Sequence, residues 1–390
     1  MPSPMEDRPG LLIRDPYQFS DATLIVPPPL IRALECFDGE QTELDLREEL
    51  VRSTGSIEVG ELQGHLTNTL STAGFLEDDV FHRLRDERQR AFAEAPVREP
   101  AHAGTGYPDT PGELRDVLNH YMSGPEAVAA ESPVLGIAAP HVSPFGGWPC
   151  YQAAFSALRP EDRDRTFVIL GTSHYGEPDR FGLTRKPFVT PYGATRTATG
   201  LVDELASSGD GSVMMEDYCH AVEHSIEFQV IFLQHLYGPD VKIVPVLCGS
   251  YARSIYVGGM PEDHAPVARF LDTLGNIAAR EGDNLCWVLG IDMAHMGKRY
   301  GDRFAALADQ QEMLGVSERD QLRIESVNAG DAEGFWDQVR ENHDDLKWCG
   351  SAPLYTFLKA LPNARGKLRK YQQWNIDQQS VVSFAGITFR

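Results

Sequence analysis

The chain has 390 residues, 42% of them apolar and 24% charged, and a formal net charge of −22. That length accommodates one large domain and a smaller one, and no apolar run approaches the ~18–20 residues of a membrane-spanning helix. A surface this acidic repels phosphate backbones and anionic lipid headgroups, and the densest basic run, RLRDERQR at 83–90, is broken by acids, so neither nucleic acid nor membrane is expected as a partner.

In chain order, the opening MPSPMEDRPG lacks the basic start and apolar centre of a secretory signal, and a cytoplasmic location is the expectation. Within residues 11–76, LLIRDPYQF and ATLIV predict strands, PLIRALECF and DLREELVRS predict helices, and VGELQGHLTNTLSTAG predicts a third helix stopped at Gly74. The charged stretch 77–95 reads as a solvated helix, and EAPVREPAHAGTGYPDTPG, rich in Pro, Gly and Ala, as a linker. A boundary near residue 97 therefore separates a front domain, 1–97, from a second domain, 98–390. Beyond it the short apolar runs VLGIAAPHV, TFVILGTSH, KIVPVLCG, LCWVLGIDMAH and VVSFAGITF read as buried strands. Amphipathic helices lie between them, including GELRDVLNHYM, AVEHSIEFQVIFLQHLY and APVARFLDTLGNIAAR. The alternation predicts an α/β fold, a mainly parallel or mixed sheet covered on both faces.

Three of those strands deliver a histidine at their carboxyl ends: Pro140-His141, Ser173-His174 and Asp292-x-x-His295. Ligands bind at that edge of an open α/β sheet, because the strand-to-helix loops leave a crevice there. One such histidine is more often structural than functional, but three on one edge favour a shared site. Imidazole suits Fe, Cu, Zn and Ni. The six cysteines form no C-x-x-C pair, and most lie in apolar runs where a small buried side chain is the plain expectation. His65, His82, His120, His235, His264 and His343 have no partner motif and read as surface or helix residues.

AHAGTGYP, PHVSPFGG, LGTSHYG, VEHSIEFQ, GIDMAHMG, KWCGSAPL and the closing strand resemble, in order, the motifs of Memo-like proteins over nearly all of 98–390. The resemblance implies a fold like that of the class III extradiol dioxygenases, with a metal at the strand ends. Carried over motif by motif, it makes His141, His174 and Cys349 the metal ligands and His295 an acid–base group that Asp292 orients or charge-pairs. Glu223, His224 and Glu227 would line the pocket or stand behind the ligands, although Glu223 and Glu227 also fit the polar face of one helix. Those dioxygenases hold Fe(II) with two histidines and a carboxylate. Cys349 takes the carboxylate's place here, which shifts the preference toward copper, zinc or a thiolate-bound iron, so ring cleavage does not follow. The stretch of about residues 10–78, including IVPPPLIRALECFDGEQTELDLREELVRSTG, resembles the small winged-helix domains of the PqqD-like group, which commonly grip a peptide.

The family resemblance implies a metal-dependent oxidoreductase using Fe or Cu, with Zn as the alternative ion. It also implies companions in a shared pathway, a radical SAM protein and an AMMECR-type protein. Two other functions fit the same residues: a peptide- or phosphate-binding adaptor without turnover, and a zinc-dependent hydrolase with His295 as base.

Overall fold

The computed structural model describes residues 9–124, 132–208 and 211–390, so the opening MPSPMEDRPG lies almost wholly outside the described residues. The chain divides into two compact units, Met1–Glu94 and Ala95–Arg390.

In the first unit, β1 (Leu11–Arg14) and β2 (Thr23–Val26) form an antiparallel hairpin. PLIRALECF, expected as one helix, is instead two short 3-10 turns, Pro28–Leu30 and Arg32–Cys36. Consecutive prolines at 27–29 withhold the backbone donors an α-helical turn would use. Three helices follow, α1 (Glu43–Thr54), α2 (Gly60–Thr72) and α3 (Asp79–Glu94). Thr42 opens α1 through a reciprocal cap with Asp45, and Gly55, at φ 72°, closes it. Ala33, Leu46, Leu50, Val59, Leu66 and Leu70 form this unit's own core.

The second unit begins with α4 (Pro111–Met122), β3 (Gly136–Ala139), α5 (Pro144–Phe155) and β4 (Thr166–Thr172). Short strands follow, β5 (Phe181–Leu183), β6 (Val189–Thr190), β7 (Gly193–Ala194) and β8 (Arg196–Thr197), then α6 (Thr199–Ser208) and β9 (Val213–Met215). Next come α7 (Cys219–Val222), α8 (Glu227–Tyr237), β10 (Lys242–Cys248), α9 (Ala252–Tyr256), α10 (Ala265–Glu281), β11 (Leu285–Gly290) and β12 (His295–Gly297). The chain ends in α11 (Glu312–Ala329), α12 (Ala332–Arg340), α13 (Ser351–Ala360) and the hairpin β13 (Gly366–Asp377) and β14 (Ser380–Phe389).

Ten strands form one mixed sheet, ordered β12-β14-β3-β11-β4-β10-β5-β9, with β13 on β14 and β8 on β10. Its centre, β3-β11-β4-β10, is parallel. Each central strand is apolar on both faces because both are covered. Phe167 and Ile169 of β4 pack toward α4, α5 and α8, while Val168 and Leu170 join the core under α6, α10 and α13. Among the described residues no helix is long and apolar enough to cross a membrane.

In the second unit, two further sequence expectations change. AVEHSIEFQVIFLQHLY is not one helix: it breaks between Val222 and Glu227, with Glu223 extended at φ −78° and ψ 137°. Glu223 and Glu227 therefore do not share a helical face. LCWVLGIDMAH is not one strand either; β11 stops at Gly290, and His295 opens β12, which pairs antiparallel with β14.

Phe232 of α8 is fully buried and stacks on Tyr151 and Phe155, with ring centroids 4.5 and 5.0 Å away. Phe232→Ala should lower the stability of the second unit by about 3–5 kcal/mol in denaturant unfolding. A change below about 1 kcal/mol would show that this face of the sheet is not tightly packed.

Candidate metal centre

β3, β11 and β4 lie side by side, with Gly290 level with both Ala139 and Gly171. The three strands leave the sheet at one edge, delivering Pro140-His141, Ile291-Asp292 and Ser173-His174 to the same place. The turn after α7 packs onto that edge, with Ser225 Oγ donating to the Thr172 carbonyl at 2.8 Å. Glycine at 290 makes this approach feasible, since a Cβ there would strike the Ser225 carbonyl.

The turn brings His224 into the group. One nitrogen from each of His141, His174 and His224 lies within 4.8 Å of the other two. Cys349, just ahead of α13, adds its Sγ 3.2 Å from His141 Nε2. His224, expected to line the pocket or stand behind the ligands, is thus part of the donor group itself.

In all three rings Nδ1 is already committed. His141 Nδ1 meets the Gly290 carbonyl at 2.9 Å. His174 Nδ1 and His224 Nδ1 both lie 3.1 Å from the Glu223 carboxylate. That carboxylate also accepts the backbone N–H groups of His174, His224 and Ser225 at 2.9, 2.8 and 3.1 Å. With Nδ1 donating to oxygen, Nε2 is the ring nitrogen those bonds leave unused, and in His141 it meets the Cys349 sulfur.

The charges fit this arrangement. Burial pushes Glu223 up, but His174 and His224 outweigh it and hold the carboxyl well below its usual range. Burial lowers His141, while Asp292 and Cys349 raise it, to about 9. Burial dominates at His224 and brings it down to about 4 despite Glu223. Burial pushes the Cys349 thiol up, yet the charges of His141 and His295 and hydrogen bonds from His141 and His174 bring it down to about 5. The result at neutral pH is a thiolate paired with the protonated ring of His141.

The other expected site residues fall differently. Asp292 was expected to serve His295; it serves His141, accepting its backbone N–H at 3.0 Å with the other oxygen 3.5 Å from its Nε2. The turn after β11 points its carboxylate back at β3. His295 instead sets Nδ1 against the carbonyls of Met293 and Lys347, at 2.9 and 3.0 Å. Glu227, expected at the pocket, anchors the start of the unit: it pairs with buried Arg98 and accepts from Tyr107 and from the backbone of Ala101 and His102. Arg98 also donates to the Glu223 carbonyl at 2.8 Å, so this buried pair steadies the turn from behind.

The side chains of His174 and His224 are 27% and 26% exposed, so the group opens to solvent on one side. A cleft of about 360 Å³ lies there, lined by His174, Cys349, Ser250, Tyr256, His343 and Lys347. His343, read from sequence as an unremarked surface or helix residue, stacks on Tyr256 with ring centroids 5.8 Å apart. Asn342, His343, Asp344 and Lys347 all have positive φ, from 53° to 56°, a strained path for non-glycine residues.

Fold and site together define an α/β protein with a histidine-and-cysteine pocket at the carboxyl edge of a mixed sheet. The chain belongs to the Memo-like protein family, whose family model matches residues 98–388. A MEMO1 family protein of Aquifex aeolicus is 27% identical over 383 residues, covering 97% of this chain and 95% of its own length. One from Thermococcus kodakarensis is 30% identical over 308 residues, covering 75% of this chain and 99% of its own. Another, from Desulfurococcus amylolyticus, is 27% identical over 315 residues, covering 75% and 98%. Three quarters of this chain thus accounts for nearly the whole of the archaeal relatives, whereas the Aquifex protein matches almost all of it. A solved structure of the uncharacterized protein JW3007 from Escherichia coli K12 is 9% identical, covers 58% of this chain and 85% of that one, and has a TM-score of 0.35, too low to bear on the argument.

The lowered thiol gives a test. Without metal, alkylation of Cys349 by iodoacetamide should reach half its maximal rate near pH 5 rather than near the ordinary value of 9.0. Burial pushes Cys219, Cys248 and Cys286 upward, so they should stay slow at pH 6. Because the folded value lies below the unfolded one, the thiolate's stabilisation is complete above the unfolded value and fades as pH falls through 5. A rapid phase that survives Cys349→Ser, or a midpoint above pH 8, would contradict this account of the site.

Proposed function

We propose that this protein is a metal-dependent enzyme of oxidoreductase type, in which His141, His174 and Cys349 hold one transition-metal ion and His224 stands within reach as a fourth donor. The observation that carries this reading is the shared commitment of the three Nδ1 atoms, which leaves Nε2 of each ring unused by those bonds and sets the Nε2 of His141 against a thiolate. Nitrogen donors with one soft thiolate favour copper, zinc or thiolate-bound iron over the hard cations. Iron or copper would supply redox chemistry there, and zinc would supply Lewis acidity for hydrolysis.

The chain's own residues have separable tasks. Glu223 and the Gly290 carbonyl fix the rings and their tautomers. Asp292 fixes the backbone and ring of His141. His295, whose charge reaches Cys349 while its Nδ1 is tied to carbonyls, is the acid–base group, able to move a proton at Nε2. The cleft beside His174 is the route for a small substrate. The pathway companions implied by the resemblance, a radical SAM protein and an AMMECR-type protein, belong to this proposal, with the first unit as a PqqD-like recruiting domain. An adaptor that only captured a peptide or phosphate would have no use for a depressed thiolate beside three fixed imidazoles.

Protein purified without oxygen should contain about one Fe or Cu ion per chain, and the triple variant His141→Ala, His174→Ala, Cys349→Ala should contain none. Metal content unchanged in that variant would refute the assignment, and zinc alone would favour the hydrolase. Glu223→Gln should weaken metal binding about 10–100-fold. His295→Ala should keep its metal and lose turnover; loss of metal would make His295 a ligand.

A further inference from the structure

Asp320 lies on α11 in a run of charged residues, yet its side chain is fully buried. Its carboxylate accepts three hydrogen bonds from elements distant in sequence: Trp348 Nε1 at 2.7 Å, Tyr371 Oη at 2.7 Å and Ser383 Oγ at 2.6 Å. Two of these partners lead to the donor pocket. Trp348 is the residue before Cys349. Ser383 Oγ accepts the backbone N–H of Ala294 at 2.8 Å, and the Ser383 main chain bonds to Met293 and Ala294 on either side, immediately before His295.

The two loops so reached are also bonded to each other. His295 N donates to the Leu346 carbonyl at 2.9 Å, and Gly350 N to the Asp292 carbonyl at 3.0 Å. The loop before Cys349 runs through the positive-φ residues 342–344 and 347, a path that must be held from outside. One turn of α11 does so: Arg319 pairs with Asp345, Arg323 pairs with Asp344 at 2.8 Å, and the Arg323 guanidinium lies 5.2 Å from the centre of the Trp348 ring.

We infer that Asp320 is a positioning residue for the candidate metal centre, joining the Cys349 loop and the His295 loop through Trp348 and Ser383 so that thiolate and imidazole keep one geometry. The inference rests on the metal-centre reading above. Asp320 bonds to none of the candidate ligands and acts only through Trp348 and Ser383. A carboxylate is required because all three neighbours donate; an amide offers one oxygen and would turn its own donors toward Tyr371 or Ser383.

Co(II) alone is the probe, since a thiolate ligand gives it a near-ultraviolet charge-transfer band. The full chain, stripped of metal, is titrated with Co(II) against a competing chelator, and its melting temperature is recorded in parallel. Asp320→Asn and Trp348→Phe should both shift or weaken the thiolate band and reduce Co(II) affinity about tenfold. Val327→Ala, a core change on the same helix, should lower the melting temperature while leaving band and affinity unchanged. Trp348→Phe removes the N–H together with part of the buried indole, a loss of core volume for which Val327→Ala is the control, so it decides the matter if Asp320→Asn does not fold. A wild-type band and affinity in Trp348→Phe, or an equal loss in Val327→Ala, would overturn the positioning role. No thiolate band in the wild-type protein would overturn the metal-centre reading and this inference together.

Discussion

The pocket depends on one buried carboxylate. Glu223 holds two imidazole rings by Nδ1 and three backbone N–H groups at once, and without it the turn 223–226 would have no reason to leave the helical path. Burying a carboxylate is costly unless its oxygens are saturated with donors. Here the saturation is also the construction, because every donor it gathers belongs to a residue of the pocket or its neighbour. The parallel pairing of β3, β11 and β4 brings the other chain ends to that point, and Arg98 with Glu227 holds the turn from the far side.

The sheet and its edge were legible in the sequence because their signals are local. Continuous apolar runs mark strands covered on both faces, and a histidine at the end of such a run announces the edge. His141 and His174 are gathered by those signals, whereas Cys349 follows no strand and joins them only through the family resemblance; the structure brings the three together. The helix over AVEHSIEFQVIFLQHLY failed because its apolar periodicity continues across the break; what interrupts it is a side chain outbidding the helix for backbone donors, and no periodicity records that. Asp292 was matched to its sequence neighbour His295, whereas the turn directs it across the sheet to His141.

Asp320 shows a signal that was present but unread. Met313, Val316, Asp320, Ile324 and Val327 are all buried at helical spacing, so a carboxylate occupies a core position of α11. Among neighbours such as Glu318 and Arg319 it looks like one more surface charge. The chain carries a net charge of −22, yet the acidic side chains that organise the pocket are buried and hydrogen-bonded: Glu223, Asp292, Glu227 and Asp320. Bulk acidity argues only about partners, and the position of a charge within an apolar stripe argues about architecture.

The mouth of the cleft meets the Cys349 loop through the stack of Tyr256 on His343 and not through the donor side chains. Tyr256 and Val257 are 70% and 81% exposed and lead into Gly258 and Gly259, both at positive φ. None of the hydrogen bonds described to His141, His174, His224 or Cys349 comes from this segment. A substitution at Tyr256 therefore alters the cleft lining without removing any of these bonds from a donor side chain. The rim of the cleft can thus change its shape and polarity while the bonds that fix the histidine-and-cysteine pocket stay in place.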